Sequence, residues 1–439
     1  MSTGTRFYMS ILMLASGAFS SQQATADEIT FSNGIAEIIY EKCSSCHRPG
    51  QSGPFSLLTY SDVAGRADTI QAVVADGYMP PWKNMTDDVR FAYDRRLTEQ
   101  EKQLIKRWVD DGAPQGDPKS APPQPEFPVD WQLGKPDMVV EMLGEYTVPA
   151  SGPDIYRAFV IPLDLDEDRW IKAIEIKPQA KSSFHHALFW LDATKSHRAD
   201  NGTDGQAGVS HMDFFSRMTF WTRGILAGDY QQYFLGGYVP GSRPMLLPEE
   251  YAMHLPKGSD VVMQVHFHPS GKEEVERTQM ALYFAEEPPA QYVVTMDIPP
   301  MAGAFSNIDI PAGVKDYTLA DSFTLPVDVN VIQVGGHAHY LGKELSLVAR
   351  LPEGESINLL QIDDWDMNWQ SMYQFEEPVQ LPAGTLLESK IVYDNSSSNY
   401  ANPNSPPIRV TYGMNSTDEM GSVMVQMVPQ DAKDQTKLN

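Results

Sequence analysis

Gly335-Gly336-His337-Ala338-His339-Tyr340-Leu341-Gly342-Lys343 follows the alternating apolar run Val331-Ile332-Gln333-Val334. The run predicts a strand, and along a strand residues i and i+2 point to one face. His337 and His339 are therefore expected to aim two imidazoles at one point, half of a metal site made by a single strand. Three further stretches are candidates to complete the picture: His185-His186, His266 with His268, and Met420. A fourth, Cys43-Ser44-Ser45-Cys46-His47, points to a different metal centre.

Around these stretches the composition sets bounds. The chain has 439 residues, too many for one ordinary domain. Proline (33) and glycine (31) are plentiful and long helical periods are few, which favours a β-rich protein with many turns. Acidic side chains number 58 against 33 basic ones, for a net charge of −25. Nucleic acid is excluded as a partner because it would be repelled. The charge otherwise serves solubility. At the N-terminus Arg6 precedes an apolar run over residues 8–19 and then Ala24-Thr25-Ala26 before Asp27. That order predicts an export signal over residues 1–26 and a periplasmic or otherwise exported mature chain. No stretch is long and apolar enough to predict a stable membrane span. Both cysteines fall in one short motif, so the rest of the chain is expected to fold without cross-links.

Residues 27–115 read as a small helical unit. Ile35, Ile38 and Ile39 lead into the cysteine motif, and Val63, Ile70, Val73 and Val74 mark a second helix. A third begins at Thr98, with Glu101 three residues on as a capping box, and buries Leu104, Ile105, Trp108 and Val109. Gly112 and Pro114 end it. Six prolines in residues 113–128 predict a semi-stiff linker, placed at 116–135. From Pro136 the chain consists of short alternating runs between turn residues, such as Ile171-Lys172-Ala173-Ile174-Glu175-Ile176 and Val261-Val262-Met263-Gln264-Val265. These predict two β-sandwich domains, over residues 136–287 and 288–430, before a polar tail at 431–439.

Cys-x-x-Cys-His has a specific chemical use: the thiols form thioethers with haem vinyl groups and the histidine becomes an axial iron ligand. A redox dithiol would sit beside a βαβ pattern and a zinc site would want a second cysteine pair, and the sequence has neither. A soft second axial ligand is expected downstream. Met79, in Gly77-Tyr78-Met79-Pro80-Pro81-Trp82, is stiffened by its prolines; Met85 is the rival, and either residue could instead fill a core gap. The unit resembles a class I-type cytochrome c domain, with three helices, the cysteine motif early and a methionine late. The resemblance implies one covalently bound haem c on Cys43, Cys46, His47 and Met79.

Of the ten histidines, His47 belongs to this motif and six of the other nine fall in three tight groups. A lone histidine is usually a packing or surface residue, whereas such clustering favours metal binding. Neighbours on a regular strand face opposite ways, so His185 and His186 can share a metal only where the strand is distorted. His266 and His268, two apart, share a face. His197, His211 and His254 read as surface or packing residues.

The ordered set is His-His, then Gln264-Val265-His266, then His337-Ala338-His339-Tyr340-Leu341-Gly342-Lys343, then Asp418-Glu419-Met420. It is similar to the copper type II, ascorbate-dependent monooxygenases, the family of peptidylglycine α-hydroxylating and dopamine β-monooxygenases, over roughly residues 136–429. The resemblance implies two copper ions, an electron-transfer copper on His185, His186 and His266 and an oxygen-activating copper on His337, His339 and Met420. His268 has no counterpart in the family pattern. The peptide-amidating branch grips its substrate carboxylate with an arginine two positions before the His-x-His pair and an asparagine and a tyrosine after the methionine. Gly335, Ser422 and Met424 stand at those places here, which implies a different substrate, apolar or small.

Together the resemblances imply a small all-α cytochrome c domain followed by two all-β jelly-roll-like sandwich domains. They imply an exported monooxygenase that hydroxylates a small-molecule substrate with O2, drawing electrons through the haem from an ascorbate-like reductant or a redox protein. The competing expectation is a copper- and haem-binding electron-transfer or copper-handling protein that hydroxylates nothing.

Overall fold

The alternating runs form strands because each has one apolar face to bury. In the strand Asp260–Phe267, Val261, Met263, Val265 and Phe267 enter a core, while Val262, Gln264 and His266 face the other way. In Phe184–Asp192, Ala187, Phe189 and Leu191 enter the same core and leave His186, Leu188 and Trp190 on the opposite face. The structure, a computed structural model, describes Met1 and residues 28–51, 53–193, 195–210 and 234–438. The expected export signal and His211 lie outside the described residues.

In the first half of the β region two five-stranded sheets enclose one core. One sheet runs, in spatial order, Val209–Ser210, Ile155–Pro162, Asp260–Phe267, Phe184–Asp192 and Phe234–Tyr238. The other is Met138–Glu141, Gln279–Phe284, Arg169–Lys177, Tyr251–Leu255 and Gln291–Tyr292. In the second half two four-stranded sheets enclose another core. The first of these is Val294–Ile298, Gly421–Pro429, Val329–Ala338 and Met372–Leu381. The facing sheet is Tyr317–Thr324, Leu386–Tyr393, Gly342–Arg350 and Ser356–Ile362. Ile332 and Val428, on the outer face of the second half, pack into the core of the first and so join the two. Leu438, in the stretch expected to be a polar tail, is buried in the second core. No helix among the described residues is long and apolar enough to cross a membrane.

The N-terminal part departs from the expected fold. Among the described residues the chain is predominantly β-sheet, and no self-contained all-α cytochrome-type domain precedes the sandwiches. Its helices are short: α1 (Ile35–Lys42), α2 (Tyr60–Ala64), α3 (Ala67–Ala75) and α4 (Glu99–Asp110). Two of them begin on capping boxes, α2 at Thr59 with Asp62 and α4 at Thr98 with Glu101. Ile35, Ile39, Val63, Ile70 and Trp108 form a small core among them. Between α3 and α4, however, residues 82–92 form an extended strap that belongs to the second sandwich. Met85 N donates to Gln361 O at 2.7 Å, and Ala92 N to Gln374 O at 2.8 Å. Trp82, Val89 and Phe91 pack into the sandwich core. The physical reason is that these apolar residues have no helical face to join, and the strands carrying Gln361 and Gln374 offer backbone partners and apolar surface.

The proline-rich stretch is also laid down against its surroundings. Gln124 Nε2 donates to Leu58 O at 2.7 Å, the Arg48 guanidinium lies 3.9 Å from the Phe127 ring centroid, and Trp131 is buried.

Candidate metal sites

The outward faces of the two sandwiches meet across a cavity of about 360 Å³. His186 lines it from the first sandwich, and His337, His339 and Met420 from the second.

In the first sandwich His186 and His266 are direct partners across the ladder between Phe184–Asp192 and Asp260–Phe267. The register shifts between Phe184 and His186, so His185 sits at an irregularity in the strand. A bulge of this kind re-aims a side chain. Here it brings the His185 ring alongside its neighbour, with Nδ1 of His185 and Nδ1 of His186 3.0 Å apart. The His266 ring centroid is 4.6 Å from that of His185 and 4.9 Å from that of His186. One ligand atom from each of the three rings lies within 4.8 Å of the others.

The His266 ring is held from two sides. It stacks on Tyr156, centroids 4.2 Å apart and nearly parallel at 9°. Its Nε2 is 2.9 Å from Asp154 Oδ2. An Nε2–H donated to the carboxylate leaves Nδ1 with the lone pair. That Nδ1 is buried and has no hydrogen-bond partner among the described residues. Burial pushes the His185 ring down to about 4, helped by the neighbouring His266. Burial also pushes His186 well down, and the nearby His266, His185, His337 and His339 add to it. Neutral imidazoles with lone pairs turned together form a donor set for a transition metal. The chemistry of the set and the orphaned Nδ1 both fit copper.

In the second sandwich His337 pairs with Ser422 across the ladder, and His339 lies just beyond the strand end. The two ring centroids are 5.2 Å apart and perpendicular. His337 Nδ1 is 2.6 Å from Gln370 Oε1, and His339 Nδ1 is 3.1 Å from Asp418 O. Burial lowers the pKa of His337, against the Gln370 hydrogen bond. In His337 this leaves Nε2 as the nitrogen for a metal. Met420 is buried, and its carbonyl accepts the Tyr393 hydroxyl at 2.8 Å. Met420, Ser422 and Met424 alternate along Gly421–Pro429 and its approach, and all three line the cavity. Two imidazoles and a thioether suit copper. Glu419, fully buried beside them, accepts from His339 N at 3.0 Å and Leu341 N at 2.7 Å, and burial pushes it up to about 8.

The third centre lies after α1. Cys43 and Cys46 are free thiols, half-buried, and burial pushes Cys43 up to about 12, with Cys46 adding to it. His47 Nδ1 is 3.2 Å from the Phe55 carbonyl, so an Nδ1–H donated there would leave Nε2 for iron. The donor set fits a covalently attached haem. Met79 follows α3 and is half-buried, whereas the Met85 side chain is exposed on the strap. Cys46 Sγ lies 3.7 Å from Gly241 O, which also accepts from Arg95 Nη1 at 3.3 Å. The cysteine loop therefore touches the first sandwich while the strap behind it is built into the second.

His268, the residue without a family counterpart, is exposed, and its Nδ1 is 2.7 Å from Asp154 Oδ1. Asp154, Gln370 and Tyr340 went unrecognised in the sequence, where nothing distinguishes them from other loop polar residues. Burial works against the charge of Asp154, but the hydrogen bonds from His266 and His268 hold its carboxyl well below the usual carboxylate range.

No family model matches the chain, and no curated protein does. Among solved structures it is similar to PNGF-II in two crystal forms, at 10% and 9% identity with TM-scores of 0.30 and 0.31. The matches cover 67% of this chain and 66% and 65% of those chains, just under two thirds of their length. It is also similar to the major capsid protein P2 from bacteriophage PM2, at 8% identity and a TM-score of 0.25, over 66% of this chain and 97% of that one. Likenesses this distant say nothing about activity.

Proposed function

We propose that this chain is an exported copper-dependent monooxygenase that hydroxylates a C–H bond of a small molecule with O2, with electrons fed through a c-type haem attached at Cys43 and Cys46. The observation that carries the reading is two unlike donor sets beside one cavity: three clustered imidazoles, of which His186 lines it and His266 has an orphaned Nδ1, and two lining imidazoles with a lining methionine. The resemblance to copper type II monooxygenases supports the division of roles.

Copper and haem would supply one-electron redox chemistry and the activation of oxygen. His185, His186 and His266 would hold the electron-transfer copper, and His337, His339 and Met420 the oxygen-activating one. The thioether of Met420 favours the reduced, oxygen-binding state, while imidazoles suit both oxidation states. A copper-handling protein has no use for two differently built sites facing each other. His47 and Met79 would ligate the haem iron.

The apolar part of the cavity supports an apolar substrate, although Glu41, Asp94, Arg95, Glu175, Arg243 and Asp297 also line it. Gly335 stands where the peptide-amidating branch carries an arginine, and a side chain there would have to displace Met372 Sδ. Met372, Met414, Met424, Trp190 and Phe234 supply apolar lining, and Gln264, Gln333 and Ser422 supply neutral hydrogen-bonding groups.

The test is metal content with oxygen uptake on the purified, haem-bearing protein, loaded with copper and reduced. Two coppers and one haem per chain, with oxygen consumed and a hydroxylated product from an apolar donor, are expected. Copper that stays reduced in oxygen overturns the monooxygenase and favours electron transfer or copper handling.

A further inference from the structure

Asp154 immediately precedes the strand Ile155–Pro162 of the first sandwich. Its carboxylate is approached from three directions. Oδ2 is 2.9 Å from His266 Nε2 and accepts the Tyr340 hydroxyl at 3.3 Å, and Oδ1 is 2.7 Å from His268 Nδ1. The three partners differ in setting. His266 is buried on the inner strand, His268 is exposed at the rim, and Tyr340 comes from the second sandwich, directly after His339.

We infer that Asp154 is a positioning residue for the three-histidine cluster: it selects Nδ1 of His266 as the metal-facing atom and is itself held by Tyr340, from the strand end carrying His339. The inference rests on the metal-site reading above. An imidazole has one proton to place when neutral, and a carboxylate on Nε2 fixes the proton there and orients the ring. Without that acceptor the proton is shared between the two nitrogens, and the ring can turn about its stacking contact with Tyr156. His268 and Tyr340 keep the carboxylate itself from turning, His268 from the exposed side and Tyr340 from the second sandwich. This gives His268 a role without making it a ligand.

The test is copper binding to the full haem-bearing chain, by competition with a Cu(I) chelator and by the Cu(II) electron paramagnetic resonance spectrum. Asp154→Ala is expected to weaken copper at the three-histidine site by about 10–100-fold and to change its hyperfine pattern, the usual size of losing such an outer partner. The site with Met420 should keep its affinity. Asp154→Asn, which preserves shape and one acceptor, should fall between, and serves as the decisive variant if the alanine form does not fold. His268→Ala and Tyr340→Phe should give smaller losses in the same direction. Unchanged affinity and spectrum in Asp154→Ala or Asp154→Asn, with wild-type protein binding copper at both sites, overturns the inference alone. Copper stoichiometry that His186→Ala leaves unaltered removes the three-histidine metal site itself, and this inference with it.

Discussion

His337 donates Nδ1–H to Gln370 Oε1 at 2.6 Å, and the same amide is itself oriented by donating Nε2–H to Met367 O at 3.1 Å. The short turn Met367–Trp369 thus fixes which nitrogen of His337 is left for a metal. Gln370→Ala removes the acceptor while keeping the ligand. It should weaken copper at the second site by about tenfold or more and leave the three-histidine site alone. A chelator competition that resolves two affinity classes checks this, and equal loss at both sites would contradict it.

Met420 is placed by its backbone. Its carbonyl takes the Tyr393 hydroxyl, and the next residue, Gly421, lies so close to that hydroxyl that an added Cβ would collide with it. Tyr393 is fully buried between the sheets and cannot swing away. Gly421→Ala should cost about 1–3 kcal/mol of stability through overpacking. It should also displace the thioether. Copper absorption spectroscopy is expected to lose its sulfur contribution in this variant, and an unchanged sulfur signal would show that the Gly421–Tyr393 contact does not place the Met420 thioether.

Strand periodicity made much of the site legible. His337 and His339 share a face because they are two apart, and the cores confirm which face of each strand is buried. The irregular register at His185 answers the distortion that adjacent ligands require. Asp154 and Gln370 were not legible. Asp154 is 112 residues from His266, and Gln370 is 33 from His337, so only the folded sheets bring them together. The strap at 82–92 was missed for another reason. Trp82, Val89 and Phe91 have neither helical nor clean strand spacing, and their partners are edge groups near Gln361 and Gln374, far along the chain. That is why the N-terminal part read as a separate helical domain.

The buried imidazoles make the metal-free protein acid-sensitive. Burial lowers the folded pKa of His185 to about 4 and also drives that of His186 well down, from an ordinary value of 6.5. Between those limits the unfolded chain binds the protons and the folded chain does not. Stability must therefore fall as pH drops from about 6.5 towards 4, by at most about 1.4 kcal/mol per pH unit from His185, with His186 acting in the same direction. Chemical denaturation of apo protein across pH 4–7 measures the slope. His185→Gln should flatten it, and a slope unaffected by that change would contradict the assignment.

The cysteine motif gives a direct chemical test. Cys43 and Cys46 are not joined in a disulfide, and His47 has its Nδ1 engaged with Phe55 O. Protein matured with the haem-attachment machinery should carry haem that survives acid–acetone extraction, one per chain. Replacing either cysteine by alanine should leave one thioether and shift the pyridine haemochrome band, and replacing both should abolish covalent haem. Full haem release from the unaltered protein would exclude the attachment.

Phe91 links the N-terminal segment to the second sandwich. Its ring is buried between Trp82, Tyr373 and Phe375, with centroids at 6.0, 6.1 and 5.2 Å, and its backbone bridges to Phe375. Phe91→Ala should cost about 3–5 kcal/mol, the usual loss for a buried aromatic. The effect should be local as well as global, because the strap holds the chain between α3 and α4 and so the face that presents the cysteine loop to Gly241. Cleavage by a protease between residues 78 and 96 should become faster than elsewhere in the chain. If Phe91→Ala lowered the melting temperature without exposing this segment, the strap would be a passive filler of the second core and the cysteine loop would be held by Arg95 and its own helices alone.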